Sequence, residues 1–238
     1  MVTPIKLYAD GADLDDMRRM SANPRISGFT TNPTLMRKAG VREYLPWALE
    51  VCAAFPAYPI SFEVIADDFA EMERQARILS DLGPNVYVKI PVTDTKGTFS
   101  GPLIKRLSKD GIKVNVTAVM TWEQIQPLVQ LLDHAPAIIS VFAGRMADTG
   151  DSTVEHTMRH AVDALKSHHH HRTNIEILWA SPRQVLDVYI AERAGVHIIT
   201  ITKDILAKLP LLGKDLEEYS RETVQLFYDD AKAAGYSL

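Results

Sequence analysis

The chain has a single cysteine, Cys52, so no intrachain disulfide is possible. It lies in the apolar run from Trp47 to Ala54, which reads as one face of a helix. An excess of basic residues is also missing. Twenty-six lysines and arginines stand against 30 acidic residues, and the two signs are mixed along the chain. A nucleic-acid partner would demand a basic stripe, so none is expected. No run approaches the length of a membrane span. The start, Met1 to Lys6, lacks a charged segment followed by a long apolar one. A reducing, cytoplasmic setting is the resulting expectation. Any positive charge used on a substrate must come from a few placed residues.

No linker, repeat or shift of composition divides the 238 residues, which is a length suited to one α/β barrel. A chain this long buries roughly three quarters of the surface its unfolded form exposes, so its core needs no outside staple.

Eight short runs rich in β-branched residues are bounded by turn formers: 5–9, 26–29, 60–64, 86–90, 112–116, 137–141, 175–179 and 196–200. Amphipathic stretches lie between them, such as Phe69 to Leu79. Asp13 and Thr121 stand as helix-start residues before Leu14 and Trp122. Alternation without hairpin signals predicts parallel crossovers. A doubly wound open sheet carries the same alternation, but the count of eight and the polar residues at nearly every strand end favour a single-domain (β/α)8 TIM barrel over 1–238. The segment from about 210 to 238 reads as one or two further helices, including Leu216 to Ala234. The run His168 to His171 lacks the spacing that sets two ligands on one helix face, and is expected to be a solvated loop. No metal site is expected.

The strand ends hold the candidate chemistry. Lys89 interrupts the apolar strand Val86 to Val92. A nucleophilic amine must be neutral, and apolar surroundings disfavour an ammonium. Taken with its strand alone, a lysine snorkelling to solvent is the better reading. The other residues shift that balance. Asp10 ends the first strand, as a proton acceptor or a turn residue. Glu63, flanked by Phe62 and Val64, is costly there unless partnered; it could steer a water or pair with a buried cation. Thr30, Thr31 and Asn32 precede Pro33, a common helix-capping arrangement. Asn115 and Thr117 share one face of their strand, and Ser140 and Phe142 share another. An inward Asn needs hydrogen-bond partners, which a polyhydroxylated substrate could supply. Arg145, Ser181 and Arg183 begin adjacent loops. Together they suit a phosphate, whose oxygens a guanidinium fork matches; singly, each could be a surface residue.

Gly28 to Met36 (GFTTNPTLM) resembles the transaldolase signature, and Val88 to Thr93 (VKIPVT) resembles the segment around that family's Schiff-base lysine. Weaker matches at 8–10, 61–64, 114–117, 140–145 and 179–183 follow in the family's order. The resemblance implies a barrel that moves a dihydroxyacetone unit from fructose 6-phosphate or sedoheptulose 7-phosphate to an aldose phosphate. Lys89 would attack the ketone, Asp10 would take the C4 hydroxyl proton, and Glu63 and Thr117 would hold a water. Asn32, Asn115 and Ser140 would bind hydroxyls, with Thr30 and Phe142 among the substrate contacts. Arg145, Ser181 and Arg183 would hold the phosphate. A protonated iminium is the electron sink, so the family needs no metal or organic cofactor.

In the related fructose-6-phosphate aldolases, the positions of Glu63 and Phe142 are typically glutamine and tyrosine, so the transferase is favoured. Trp179 and Pro182 depart from the family's usual residues. An aldolase releasing free dihydroxyacetone and a non-catalytic sugar-phosphate-binding barrel are the competing readings. The small transaldolases that the chain resembles are often ring-like oligomers with the C-terminal helix helping assembly, so the resemblance implies a homo-oligomer.

Overall fold

The β-branched runs pair in the order in which they occur. In a computed structural model, described for residues 5–168 and 174–237, the chain runs β1 (Lys6–Asp10), α1 (Leu14–Ser21), β2 (Ile26–Thr30), α2 (Pro33–Lys38), α3 (Tyr44–Ala54), β3 (Ile60–Glu63), α4 (Phe69–Ser80) and β4 (Val86–Pro91). It continues with α5 (Gly101–Lys109), β5 (Val114–Val119), α6 (Trp122–Leu131), β6 (Ala137–Val141), α7 (Ala143–Asp148) and α8 (Val154–His168). Last come β7 (Ile175–Trp179), α9 (Leu186–Arg193), β8 (Ile198–Ile201), α10 (Lys203–Lys208) and α11 (Leu216–Ala233). The strands are parallel and close as β1-β2-β3-β4-β5-β6-β7-β8. The fold is a single-domain (β/α)8 barrel. His168 closes α8, and His169 to His171 lie outside the described residues.

Capping residues set where several helices start. The Asp13 carboxylate accepts from the Asp16 amide at 2.8 Å, and Asp68 accepts from Ala70 and Glu71 at 3.0 Å, each meeting donors that have no partner within the helix. At α6 the Gln124 side chain reaches back to the amide of Thr121 at 3.2 Å.

Two apolar compartments share the strands. The larger lies between strands and helices, where Phe29 packs against Phe55 and Tyr58 with ring centroids 4.6 and 5.3 Å away. The smaller lies inside the barrel, built from Tyr8, Ile138, Leu178, Ala180 and Ile198. These come from β1, β6 and β8 and from β7 and its end, so that side of the interior is apolar. Gly28 makes room for it: a Cβ there would meet the Tyr8 ring at 2.6 Å, so a larger residue would force the ring to move. Polar interior residues stand on β2 to β5 (Thr30, Ser61, Glu63, Lys89, Asn115, Thr117), and Asp10, Ser140 and Thr200 join them at the C-terminal ends of β1, β6 and β8. Among the described residues no helix is long and apolar enough to cross a membrane.

Candidate active site

Strand register places the polar residues on one level. Glu63 pairs with Lys89, Lys89 with Asn115, and Asp10 with Thr30. Lys89 is buried, with 5% of its surface exposed. Its Nζ donates to the Thr31 carbonyl at 2.9 Å and lies 3.1 Å from Glu63 Oε2. The Thr31 carbonyl is itself fixed, because the Thr31 hydroxyl and amide both donate to Ser61 O, at 3.0 and 3.2 Å. The amine is therefore held between a carboxylate and a carbonyl at the mouth of the barrel.

The Thr30 hydroxyl donates to Asp10 Oδ1 at 2.9 Å. Burial pushes the Asp10 carboxyl above the usual carboxylate range and the negative charge of Glu63 adds to this, while the nearby Lys89 and the Thr30 hydroxyl pull it down. A carboxylate in such a place is a better proton acceptor than one in water.

A cavity of about 560 Å³ opens over these groups. Asp10, Thr30, Asn32, Glu63, Lys89, Thr117, Ser140, Phe142, Arg145, Ser181 and Arg183 all line it, that is, every expected site residue except Asn115. Asn115 is fully buried. Its Nδ2 donates to Ser61 Oγ at 3.0 Å, and its Oδ1 accepts from Ser140 Oγ at 2.6 Å. It orients two hydroxyls. Asn32 Oδ1 accepts from the Leu35 amide at 3.0 Å as the N-cap of α2, and the residue lines the cavity.

The Thr117 hydroxyl is buried and has no hydrogen-bond partner among the described residues. A buried hydroxyl left unpaired is costly, which favours a water or a substrate oxygen beside it. Its position follows from an irregularity: pairing between β5 and β6 slips between Val116 and Val119, and Ala118 adopts φ 60°. A non-glycine residue there stores strain on the order of 1–3 kcal/mol.

Ser181 also has positive φ, 57°. Its backbone packs directly on Gly144. A Cβ on Gly144 would fall 1.5 Å from the Ser181 carbonyl oxygen, and the Gly144 amide donates to Ala180 O at 3.2 Å. Helix α7, which carries Arg145, is thus locked against the loop that carries Ser181 and Arg183. The Arg145 guanidinium lies 5.5 Å from the Phe142 ring centroid, and no carboxylate of the described residues is within ion-pair distance of it. Arg183, by contrast, is paired with Asp148.

Lys38, Thr200 and Asp148 were not singled out from the sequence. Lys38 lines the cavity from α2, across the barrel from α7. Thr200 shares the inward parity of Ile198 and also lines it, a signal that strand alternation alone could have supplied. Among the described residues no group of three or more His, Cys, Asp or Glu side chains could hold a metal ion.

A parallel eight-stranded barrel with a lysine-centred polar cavity at the C-terminal ends of its strands defines the class of protein. The chain belongs to the transaldolase/fructose-6-phosphate aldolase family, whose model matches residues 7–238. A probable transaldolase of Clostridium botulinum (strain Langeland / NCTC 10281 / Type F) is 33% identical over 226 residues, covering 94% of this chain and 98% of the relative. A probable transaldolase of Dehalococcoides mccartyi is 31% identical over 205 residues, covering 86% and 90%. Among solved structures, KGPDC from Streptococcus mutans matches with a TM-score of 0.57 at 12% identity, covering 85% of this chain and 90% of that one, a likeness of fold.

Proposed function

We propose that the protein is a transaldolase that carries a dihydroxyacetone unit from fructose 6-phosphate or sedoheptulose 7-phosphate to an aldose phosphate. The observation that carries this reading is the buried Lys89 amine, 3.1 Å from Glu63, in one cavity with Asp10. The amine adds to the C2 ketone, and loss of water yields the iminium. Asp10 accepts the C4 hydroxyl proton as the C3–C4 bond breaks; the bond's electrons pass into the iminium, giving an enamine, and the aldose phosphate departs. The acceptor aldehyde then takes the enamine carbon at C3 and a proton from Asp10, and water returns to release the new ketose. Glu63 and the unpaired Thr117 hydroxyl hold that water. Thr30, Asn32, Ser140 and Phe142 contact the sugar, Asn115 acts through Ser140, and Arg145, Ser181 and Arg183 take the phosphate. Sugar phosphates are the substrates in this reading, and the reaction is placed in the cytoplasm.

Glutamate at 63 and phenylalanine at 142 favour transfer over release of free dihydroxyacetone, because the related aldolases typically carry glutamine and tyrosine there. Product formation from fructose 6-phosphate is expected to depend on added aldose phosphate. Equal turnover without an acceptor would assign the release reaction instead.

The described residues of α11 include no buried one, and Leu216, Val224, Phe227 and Tyr228 stand exposed along it. Helices in proteins draw most of their stability from packing an apolar face, so this exposed apolar side calls for a partner. The proposal is a homo-oligomer assembled through this helix. Phe227, 66% exposed, gives the check. Phe227→Glu is expected to lower the mass measured by light scattering on a sizing column, and a parent protein that is already monomeric would refute the assembly.

A further inference from the structure

Arg183, which lines the anion end of the cavity, is paired with a carboxylate that does not line the cavity itself and that the proposed reaction does not use. Asp148 follows Arg145 by three residues on α7, so the two side chains leave the same face of the helix. Arg183 Nε donates to Asp148 Oδ1 at 2.9 Å and to Oδ2 at 3.0 Å, and Nη2 donates to Oδ2 at 2.5 Å. The hydrogen bond from Arg183 holds the Asp148 carboxyl below the usual carboxylate range, with the charges of Arg183 and Arg145 acting in the same direction.

A guanidinium has two donor edges that suit an oxyanion. Asp148 occupies the edge made by Nε and Nη2, which leaves the edge made by Nη1 and Nη2. The loop backbone cannot substitute. Pro182 has no N–H, and the amides of Arg183 and Gln184 both donate to Asp187 Oδ2, at 2.6 and 3.2 Å. From Pro182 to Gln184, then, anion recognition falls to side chains. An exposed ion pair by itself contributes little. This one differs in joining two elements that are already locked together, at Gly144 and Ser181, and in its Asp148 lying within the field of Arg145.

We propose that Asp148 is a positioning residue for phosphate recognition: by taking one edge of Arg183 it fixes the free edge for the terminal phosphate of the substrate. This rests on the sugar-phosphate reading above. Asp148 also removes a positive charge from the clamp, which opposes anion binding. The proposal is that ordering outweighs it, because an unpaired Arg183 must give up its rotamer freedom on binding.

The test measures inorganic phosphate binding by calorimetry on the full chain. Asp148→Ala is expected to weaken the Kd by about fivefold, within the range of coupling between neighbouring charged groups. KM for the phosphorylated ketose should rise in parallel at unchanged kcat. The double variant Asp148→Ala/Arg183→Ala should bind no more weakly than Arg183→Ala alone, and Asp148→Glu should recover part of the affinity. Asp148→Asn, close in shape, should weaken binding in the same direction and serves if the alanine variant folds poorly. Unchanged affinity in these variants would make the pair a surface ornament. Tighter affinity would make Asp148 a competing counter-ion. Either result overturns the positioning role. Because phosphate binding does not involve Lys89, failure of the Schiff-base reading would appear separately, as loss of turnover with this pattern intact.

Discussion

Lys89→Ala is expected to reduce turnover of a phosphorylated ketose by at least about four orders of magnitude, since the covalent electron sink is built on its amine. The reason lies in the strand register. Lys89 stands opposite Glu63 on one side and Asn115 on the other, so the residues that flank it belong to neighbouring strands of one closed sheet. Its Nζ is fixed by Glu63 and by the Thr31 carbonyl. Phosphate affinity should survive the substitution, because Arg145 lies on α7 after β6 and Arg183 on the loop after β7. A variant that binds inorganic phosphate normally and does not turn over separates chemistry from binding. Wild-type turnover in Lys89→Ala would remove the covalent mechanism altogether.

Asp10→Asn is expected to lower kcat by about 10²- to 10⁴-fold, the usual contribution of a placed general base. Asparagine preserves an acceptor for the Thr30 hydroxyl, so shape is retained while proton transfer is lost. The parent enzyme should lose kcat on its acidic side at a pH above the ordinary aspartate value of about 3.9, because burial raises the Asp10 carboxyl. Stability should move the other way. Between the unfolded value and the raised folded value, the folded chain holds a proton that the unfolded chain has released, so stability declines as pH climbs through that window. Above it the parent carries a buried charge that asparagine lacks. Asp10→Asn should therefore raise Tm at neutral pH, by about 2–4 °C for each kcal/mol recovered in a domain of this length, and the gain should vanish near pH 4. A loss of activity accompanied by a lower Tm at pH 7 would mean that Asp10 is structural.

The opposed effects at Asp10 explain why parts of the site were legible in sequence. A carboxylate closing an apolar strand and a lysine inside another break the local pattern, and such breaks gather at functional sites. The strands were readable because each is a short β-branched run: β6 and β7 fall at the expected 137–141 and 175–179. β5 was expected at 112–116 and instead spans Val114–Val119. The bulge and the left-handed Ala118 carry the strand past Thr117, and neither leaves a signal in residue type, since alanine rarely adopts that conformation.

The short helix α7 and its lock on the β7 loop were not legible either. Gly144 looks like any turn glycine until the Ser181 carbonyl is found against its Cα. The pairing of Asp148 with Arg183 spans 35 residues, beyond the reach of local spacing. The partners of Asn115, Ser61 and Ser140, stand on two other strands, so those hydrogen bonds come into view only once the sheet is closed.

Sodium borohydride added to the enzyme with fructose 6-phosphate reduces an iminium to a stable amine, and peptide mass mapping then locates it. A Schiff base on Lys89 requires the sugar-derived mass on the peptide that contains Lys89, and none in Lys89→Ala. An active enzyme that shows no adduct, or an adduct on a different lysine such as Lys38, contradicts it.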